Sequence, residues 1–253
     1  MTSAPWYVNA FRSDYAKRYA HRDEAEAKAN IRAILNWFPV DPTARILDLA
    51  CGAGRHLIAL HQAGLTRLTG LDLSRDLLDL ARNRLQELGI TKVQLIRGDM
   101  RAIGIHNRFD AVFSFFSSFG YFANDQTNTA VIGEIAAALK TGGAVLIDTM
   151  NPPHVRATLV AEETLDIDGR HVNVSRRITT DNRVEKTVVV HHNGARCRET
   201  FESVRLYDGE EMTHMLENAG FADIRLAGAL DGRTYSASTP RLIVAATLGE
   251  SDA

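Results

Sequence analysis

The segment Ile46-Leu-Asp-Leu-Ala-Cys-Gly-Ala-Gly-Arg-His56 constrains this chain more than any other. Arg45 to Leu49 is a short apolar run that ends at glycines, which predicts a buried strand. His56 to Ala63, closed by Gly64, has helical spacing. A strand that turns through Gly52-Ala-Gly54 into a helix lets the backbone approach a ligand closely. The helix start also favours negative charge. The dinucleotide fingerprint needs a third glycine where this chain has Leu57, and leucine there blocks the close helix–strand approach of a pyrophosphate site.

The alternation continues on both sides of that turn. Apolar residues from Arg22 to Phe38 fall at helical spacing and Pro39 ends the helix. Leu68 to Leu73, Val93 to Arg97, Phe109 to Ser114 and Ala144 to Thr149 read as strands. Ser74 can cap a helix to Leu88, and Asn124 or Asp125 starts one that ends at Lys140. Such β/α units predict a parallel sheet covered on both faces. After Pro153 the pattern changes to three strands, Arg170–Ile178, Val184–His191 and Arg198–Leu206, with turn signals at Asp168-Gly169, Asp181-Asn182 and Asn193-Gly194. Asp208 to Glu211 has the form of a capping box opening a helix to Ala219. Strands near Asp223–Ala227 and Leu242–Thr247 complete the sheet, one of them antiparallel at an edge.

Composition excludes several classes. The 253 residues are 45% hydrophobic and 24% charged, close to the globular average, which allows one or two domains. A formal net charge of −2 gives no basic excess for a phosphate backbone, so nucleic acid is not the expected partner. Cys51 and Cys197 are far apart and lack metal-ligand spacing, and His191-His192 in a strand point to opposite faces. No metal site, no disulfide framework and a reducing compartment are expected. The N-terminus has no apolar signal region and no stretch reaches 18 apolar residues, so the expectation is a cytoplasmic protein without a membrane span.

Two further motifs point to a nucleoside. Gly70-Leu-Asp-Leu-Ser74 places Asp72 at the end of the second strand, eighteen residues past Gly54, where a carboxylate can accept both ribose hydroxyls. Arg97-Gly-Asp-Met100 ends the third strand, where Asp99 can take an adenine amino group and Met100 can cover the ring. In this order the motifs resemble the class I S-adenosylmethionine-dependent methyltransferases. LDLACGAGRH is similar to their first motif, GLDLS to the acidic second-strand motif and RGDM to the adenine motif. FDAVFSFFSSFGYF and LKTGGAVLID are similar to the fourth-strand motif and the approach to the fifth strand. The N-terminal WYVNAF and C-terminal GRTYSASTPRLIVAA also look like a large bacterial subgroup with a small antiparallel insert after the fifth strand. Similar inserts occur in small-molecule N-methyltransferases such as those acting on amino sugars.

The resemblance implies an α/β fold: a doubly wound, mainly parallel, seven-stranded Rossmann-like methyltransferase sheet with a small antiparallel β insert over the donor site. It implies an N-terminal helical lid over residues 1–44, a donor-binding core over 45–160, the insert over 161–206 and completion of the core sheet over 207–253. It implies S-adenosylmethionine as donor, held by Asp48, Ala50, Cys51, Gly52, Gly54, Asp72, Leu73, Asp99, Met100 and Phe115, with Tyr15, Tyr19 and Arg22 as the lid. Cys51 there reads as packing. Arg55 or His56 can reach the donor carboxylate. Phe116, Ser118, Tyr121 and Tyr235 face the acceptor, and Tyr121 and His154 are the candidate catalytic groups. Asn151-Pro-Pro-His154 follows the fifth strand and ends in His, unlike the fourth-strand signature of nucleic-acid amino-methyltransferases. The implied reaction is methyl transfer to an N, O or C nucleophile of a small molecule, by a monomer or homodimer. The alternatives are a non-catalytic nucleoside-binding or scaffold protein, an aminopropyl transferase and an NAD(P)-dependent oxidoreductase.

Overall fold

The computed structural model describes residues 5–11, 24–167, 170–192 and 195–249. A seven-stranded sheet forms the centre, in the order β10-β11-β5-β4-β1-β2-β3. Its strands are β1 (Arg45–Leu49), β2 (Arg67–Asp72), β3 (Gln94–Arg97), β4 (Phe109–Ser114), β5 (Leu139–Met150), β10 (Phe221–Ala227) and β11 (Arg241–Leu248). The first five pair in parallel. β11 runs antiparallel to both β5 and β10. The reversed strand is therefore one place in from the edge and not at the edge as the pattern suggests, because β10 pairs outside it.

Alternate residues of the strands feed two apolar layers. Ile46 packs with Ile31 and Ile34 of α2 (Glu24–Trp37), Leu57 and Leu60 of α3 (Arg55–Gln62) and Leu78 of α4 (Arg75–Glu87). Leu47 packs with Val131, Ile132 and Ile135 of α5 (Asp125–Ala138) and Met212 and Leu216 from the helix Gly209–Asn218. The caps read from sequence form: the Ser74 hydroxyl accepts from Leu77 N–H, and Asn124 accepts from Thr127 N–H. One boundary differs. α5 ends at Ala138 and β5 starts at Leu139, because Leu139 pairs with Phe109 before the Gly142-Gly143 turn.

Leu57 is fully buried, and its packing explains the absent third glycine. The close approach lies on the strand side: a Cβ at Gly70 would sit 2.5 Å from Leu57 Cδ1 and 2.7 Å from Cys51 Sγ. Gly70→Ala is expected to lower stability by about 1–3 kcal/mol through overpacking. Leu57→Ala in the same chain should restore part of that loss. Urea unfolding of the two single variants and the double variant measures the coupling.

Between β5 and α7 (Gly209–Asn218) the chain forms α6 (Pro152–Thr158) and a second sheet, β6-β7-β8-β9, all antiparallel. Its strands are β6 (Glu162–Ile167), β7 (Arg170–Ile178), β8 (Arg183–His192) and β9 (Ala195–Arg205). The sequence shows only three, since β6 is a short edge strand whose alternation spans only Thr164 to Ile167 and whose Leu165 is exposed. The turn signals Asp168-Gly169 and Asn193-Gly194 lie outside the described residues. Arg183 ties this sheet to the loop after β4. Buried, it donates to Phe122 O at 2.9 Å, Ser203 O at 2.9 Å and Ser203 Oγ at 2.8 Å. Arg205 N–H adds a bond to Gly120 O at 2.8 Å. The short helix α1 (Trp6–Ala10) packs on β9.

Candidate active site

The turn after β1 is left-handed at Ala50 (φ 61°), Gly52 (φ 54°) and Gly54 (φ 77°). Alanine is strained there, and the turn persists because Asp72 and Cys51 hold it. Cys51 N–H donates to Leu71 O at 3.1 Å. Asp72 accepts Gly52 N–H and Ser74 N–H, one on each carboxylate oxygen and both at 2.8 Å. Burial lifts the Asp72 carboxyl above its ordinary value, against the opposing pull of those two amides. Beneath it Asp48 is buried, with Oδ2 lacking a partner. Burial, then the Asp72 charge, pushes its carboxyl well up. Burial also pushes the Cys51 thiol well up, so Cys51 is no nucleophile.

These groups border a cavity of about 690 Å³ at the carboxyl ends of β1–β4. Tyr7 and Phe11 line one side, and Asp99 and Met100 the far end. Asp99 is held in a fork by Arg101, which keeps its carboxyl below the usual range. His56 packs tilted against Phe115 with ring centroids 4.2 Å apart and stacks on Phe116 at 5.3 Å. Its Nε2 is buried without a partner, and burial and then Arg55 hold the imidazole well below its ordinary pKa. Arg55 pairs with Glu26 at 3.0 Å and lies 4.1 Å over the Phe116 ring.

The loop after β4 carries two consecutive left-handed residues, Phe116 (φ 56°) and Ser117 (φ 59°). Each such residue costs about 1–2 kcal/mol when it is not glycine. Asp148 of β5 holds both. Its Oδ2 accepts Phe116 N–H at 3.0 Å and its backbone carbonyl accepts Ser117 N–H at 2.8 Å. Arg241 of β11 donates Nε–H to Asp148 Oδ1 at 2.7 Å. Phe116 and Tyr121 line the first cavity and also a second of about 450 Å³. The second lies between this loop, α6 and the antiparallel sheet. Its walls include Trp6 and Phe11, and charged Arg176, Lys186 and Glu202.

The structure brings together most of the residues that sequence reading selects. Ala50, Cys51, Gly52, Asp72, Leu73, Asp99, Met100 and Phe115 line the first cavity. Six expectations need correction. Gly54 is not at its surface: a Cβ there would meet Ala81 Cβ at 3.0 Å, so it serves the packing of α3 on α4. Asp48 lies behind the turn. Ser118 lines the first cavity, with its hydroxyl donating to Phe115 O at 2.8 Å. The antiparallel sheet borders the second cavity and contributes nothing to the first. Tyr235 and His154 line neither. The Tyr235 hydroxyl donates to Asn151 Oδ1 at 3.1 Å, and the His154 carbonyl accepts Thr158 Oγ1 within α6. Tyr15, Tyr19 and Arg22 lie outside the described residues. Sequence reading missed Tyr7, Phe11, Asp148 and the charged row of the antiparallel sheet. A lone acid in the apolar run Ala144–Thr149 was the available signal for Asp148.

The strand order, the glycine turn at the carboxyl end of β1 and the acid at the end of β2 define a class I S-adenosylmethionine-dependent methyltransferase. Comparison with known proteins agrees. A methyltransferase domain matches residues 46–143. The chain is 32% identical to dTDP-3-amino-3,4,6-trideoxy-alpha-D-glucopyranose N,N-dimethyltransferase of Streptomyces venezuelae, over 77% of this chain and 82% of that protein. It is 29% identical to dTDP-3-amino-3,6-dideoxy-alpha-D-glucopyranose N,N-dimethyltransferase of Streptomyces fradiae, over 87% and 84%. An S-adenosylmethionine-dependent methyltransferase from Clostridium acetobutylicum superposes with a TM-score of 0.79 at 18% identity, covering 93% of this chain and 96% of that one. The chain belongs to the S-adenosylmethionine-dependent methyltransferases. It is an enzyme that uses S-adenosylmethionine to methylate a small molecule.

Proposed function

We propose that the methylated atom is an amine nitrogen of a small polar molecule, of the amino-sugar class that the two relatives' names carry. The second cavity carries this reading. It meets the first across Phe11, Phe116 and Tyr121, and beside the cations Arg176, Lys186 and Arg241 its walls hold the carboxylates Glu163 and Glu202 and the Trp6 ring, which suit an amine.

The first cavity fits the donor. Its volume lies within the usual range of about 300–1,000 Å³ for small-molecule sites. Asp72, with one lone pair on each oxygen given to a backbone amide, has others to offer the ribose hydroxyls. Asp99 and Met100 serve the adenine end. When bound, S-adenosylmethionine supplies a methyl group already activated on a positively charged sulfur. The protein's part is placement: Asp72 fixes the turn, and Phe115, Phe116 and Tyr121 exclude water between the two cavities. His56, neutral and packed on Phe115 and Phe116, stiffens that partition.

No described helix is long and apolar enough to cross a membrane. That and the two free cysteines support a cytoplasmic enzyme. A net charge of −2 argues against nucleic acid as the acceptor.

Incubation with S-adenosylmethionine and dTDP-3-amino-3,6-dideoxy-α-D-glucopyranose tests the reading, with the matching 3-hydroxy sugar nucleotide in parallel. The expected result is release of S-adenosylhomocysteine and a methylated product with the amine alone. Transfer to the hydroxyl compound, or to neither it nor a wider panel of amino sugars, would overturn it.

A further inference from the structure

The inner face of the antiparallel sheet carries a charged row where apolar residues flank it. Arg176, Lys186 and Glu202 stand directly opposite one another across β7, β8 and β9. Val174 and Val188, two places along the same face, are buried, and Val184 and Val204 line the second cavity with the row. Placing Arg176 opposite Lys186 sets like charges side by side, which destabilises a sheet. Packing alone does not favour such a row.

The pairing within it is uneven. Arg176 donates to Glu163 Oε2 at 2.8 Å. Lys186 Nζ stands 3.8 Å from Glu202 Oε2, beyond hydrogen-bond distance. The other oxygen, Glu202 Oε1, is buried and has no hydrogen-bond partner. A buried carboxylate oxygen without a donor is unfavourable, and native structures rarely tolerate one that nothing fills. Other walls of this cavity are aromatic. Trp6 packs edge-on to Tyr121 at 5.0 Å, and Phe11 stacks on Tyr121 at 5.5 Å. Glu202 lines this cavity, and a carboxylate with one oxygen unfilled and the other only loosely held by Lys186 can turn toward an N–H donor with positive character.

We infer that the Glu202 carboxylate turns to accept an N–H of the acceptor amine, making Glu202 the residue that selects amine-bearing acceptors. The inference rests on the second cavity being the acceptor site. Glu202 belongs to β9, far in sequence from the donor motifs, and acts on acceptor affinity and not on the donor.

Glu202→Gln tests this with the amino-sugar nucleotide as probe. The KM for the amine is expected to rise about 10- to 100-fold, the loss of one hydrogen bond to a charged group. The dissociation constant for S-adenosylhomocysteine and the urea midpoint should stay at their wild-type values or the midpoint should rise, since a buried unpaired charge is removed. Glu199→Gln, on the opposite face of β9 and exposed, should match wild type in all three. Lys186→Met gives the opposing arm. It removes the competing cation, so the amine KM should fall or hold. If Glu202 serves only as a partner for Lys186, both variants lose stability together and the amine KM does not move selectively. That result overturns the inference while leaving the amine reading intact. If the wild-type enzyme turns over no amine in the panel, the amine reading fails first and this inference falls with it.

Discussion

Asp72→Asn will weaken binding of S-adenosylhomocysteine by about 100-fold, in line with the loss of charge-assisted hydrogen bonds at a buried site. Two effects act together. The variant removes the charge and one acceptor oxygen available to the ribose. It also breaks the turn. In the native protein Oδ2 takes Gly52 N–H and Oδ1 takes Ser74 N–H. An asparagine has one oxygen and one NH2 group, so in either orientation a backbone N–H faces another donor. The left-handed turn from Ala50 to Gly54 then loses one of its anchors. Isothermal titration with S-adenosylhomocysteine measures the affinity, with Asp79→Asn on the exposed face of α4 as the comparison. The pH dependence gives an independent check. Burial holds the Asp72 carboxyl above its ordinary 3.8, so acidification protonates it early and affinity falls while pH is still above that value. Asp72→Asn should lose this component of the pH dependence. An affinity within about threefold of wild type would remove Asp72 from the donor site, since threefold is less than one such bond contributes.

Why the donor side was legible in sequence and the acceptor side was not follows from range. The residues of the first cavity, which we assign to the donor, sit at strand ends: Cys51 and Gly52 after β1, Asp72 at the end of β2, Asp99 after β3, Phe115 after β4. A parallel sheet brings successive strand ends to one edge, so a pattern of strands already gathers them. Gly54 was misjudged because a left-handed glycine looks the same in sequence whether it frees space for a ligand or for Ala81. The second cavity depends on register between strands far apart in the chain. Nothing local says that Lys186 lies opposite Glu202, or that Arg241 reaches Asp148 across β11 and β5. The edge strand β6 escapes for a related reason: its alternation covers only Thr164 to Ile167, and Glu163, which faces the second cavity, is itself charged. His154 and Tyr235 lie near strand ends in sequence, yet their side-chain directions depend on α6 and on the bond to Asn151.

Arg241→Met is expected to lower stability by about 3–5 kcal/mol, the usual range for breaking a buried ion pair from one side. Asp148 is fully buried, and with Arg241 gone its carboxylate would keep the Phe116 N–H bond but lose its cation. The double variant Asp148→Asn/Arg241→Met carries neither charge and should recover most of that loss, because the penalty comes from the uncompensated carboxylate. Urea unfolding separates the two cases. The functional effect has a different origin. The Asp148 carboxylate holds the strained Phe116 at the boundary between the cavities, and a turn stored at that energy relaxes when its anchor weakens. Donor affinity depends on the β1 and β2 ends and should change little in both variants. The kcat for the amine acceptor should fall by at least about tenfold in both, since misplacement at a reacting centre is felt strongly even when binding is kept. Recovery of stability without recovery of kcat in the double variant is the expected pattern. Equal kcat in wild type and double variant would mean that Phe116 keeps its geometry without the Asp148–Arg241 charge pair, and the partition would owe its shape to the Ser117 N–H bond to the residue 148 carbonyl and to Arg55 and His56 packed on Phe116.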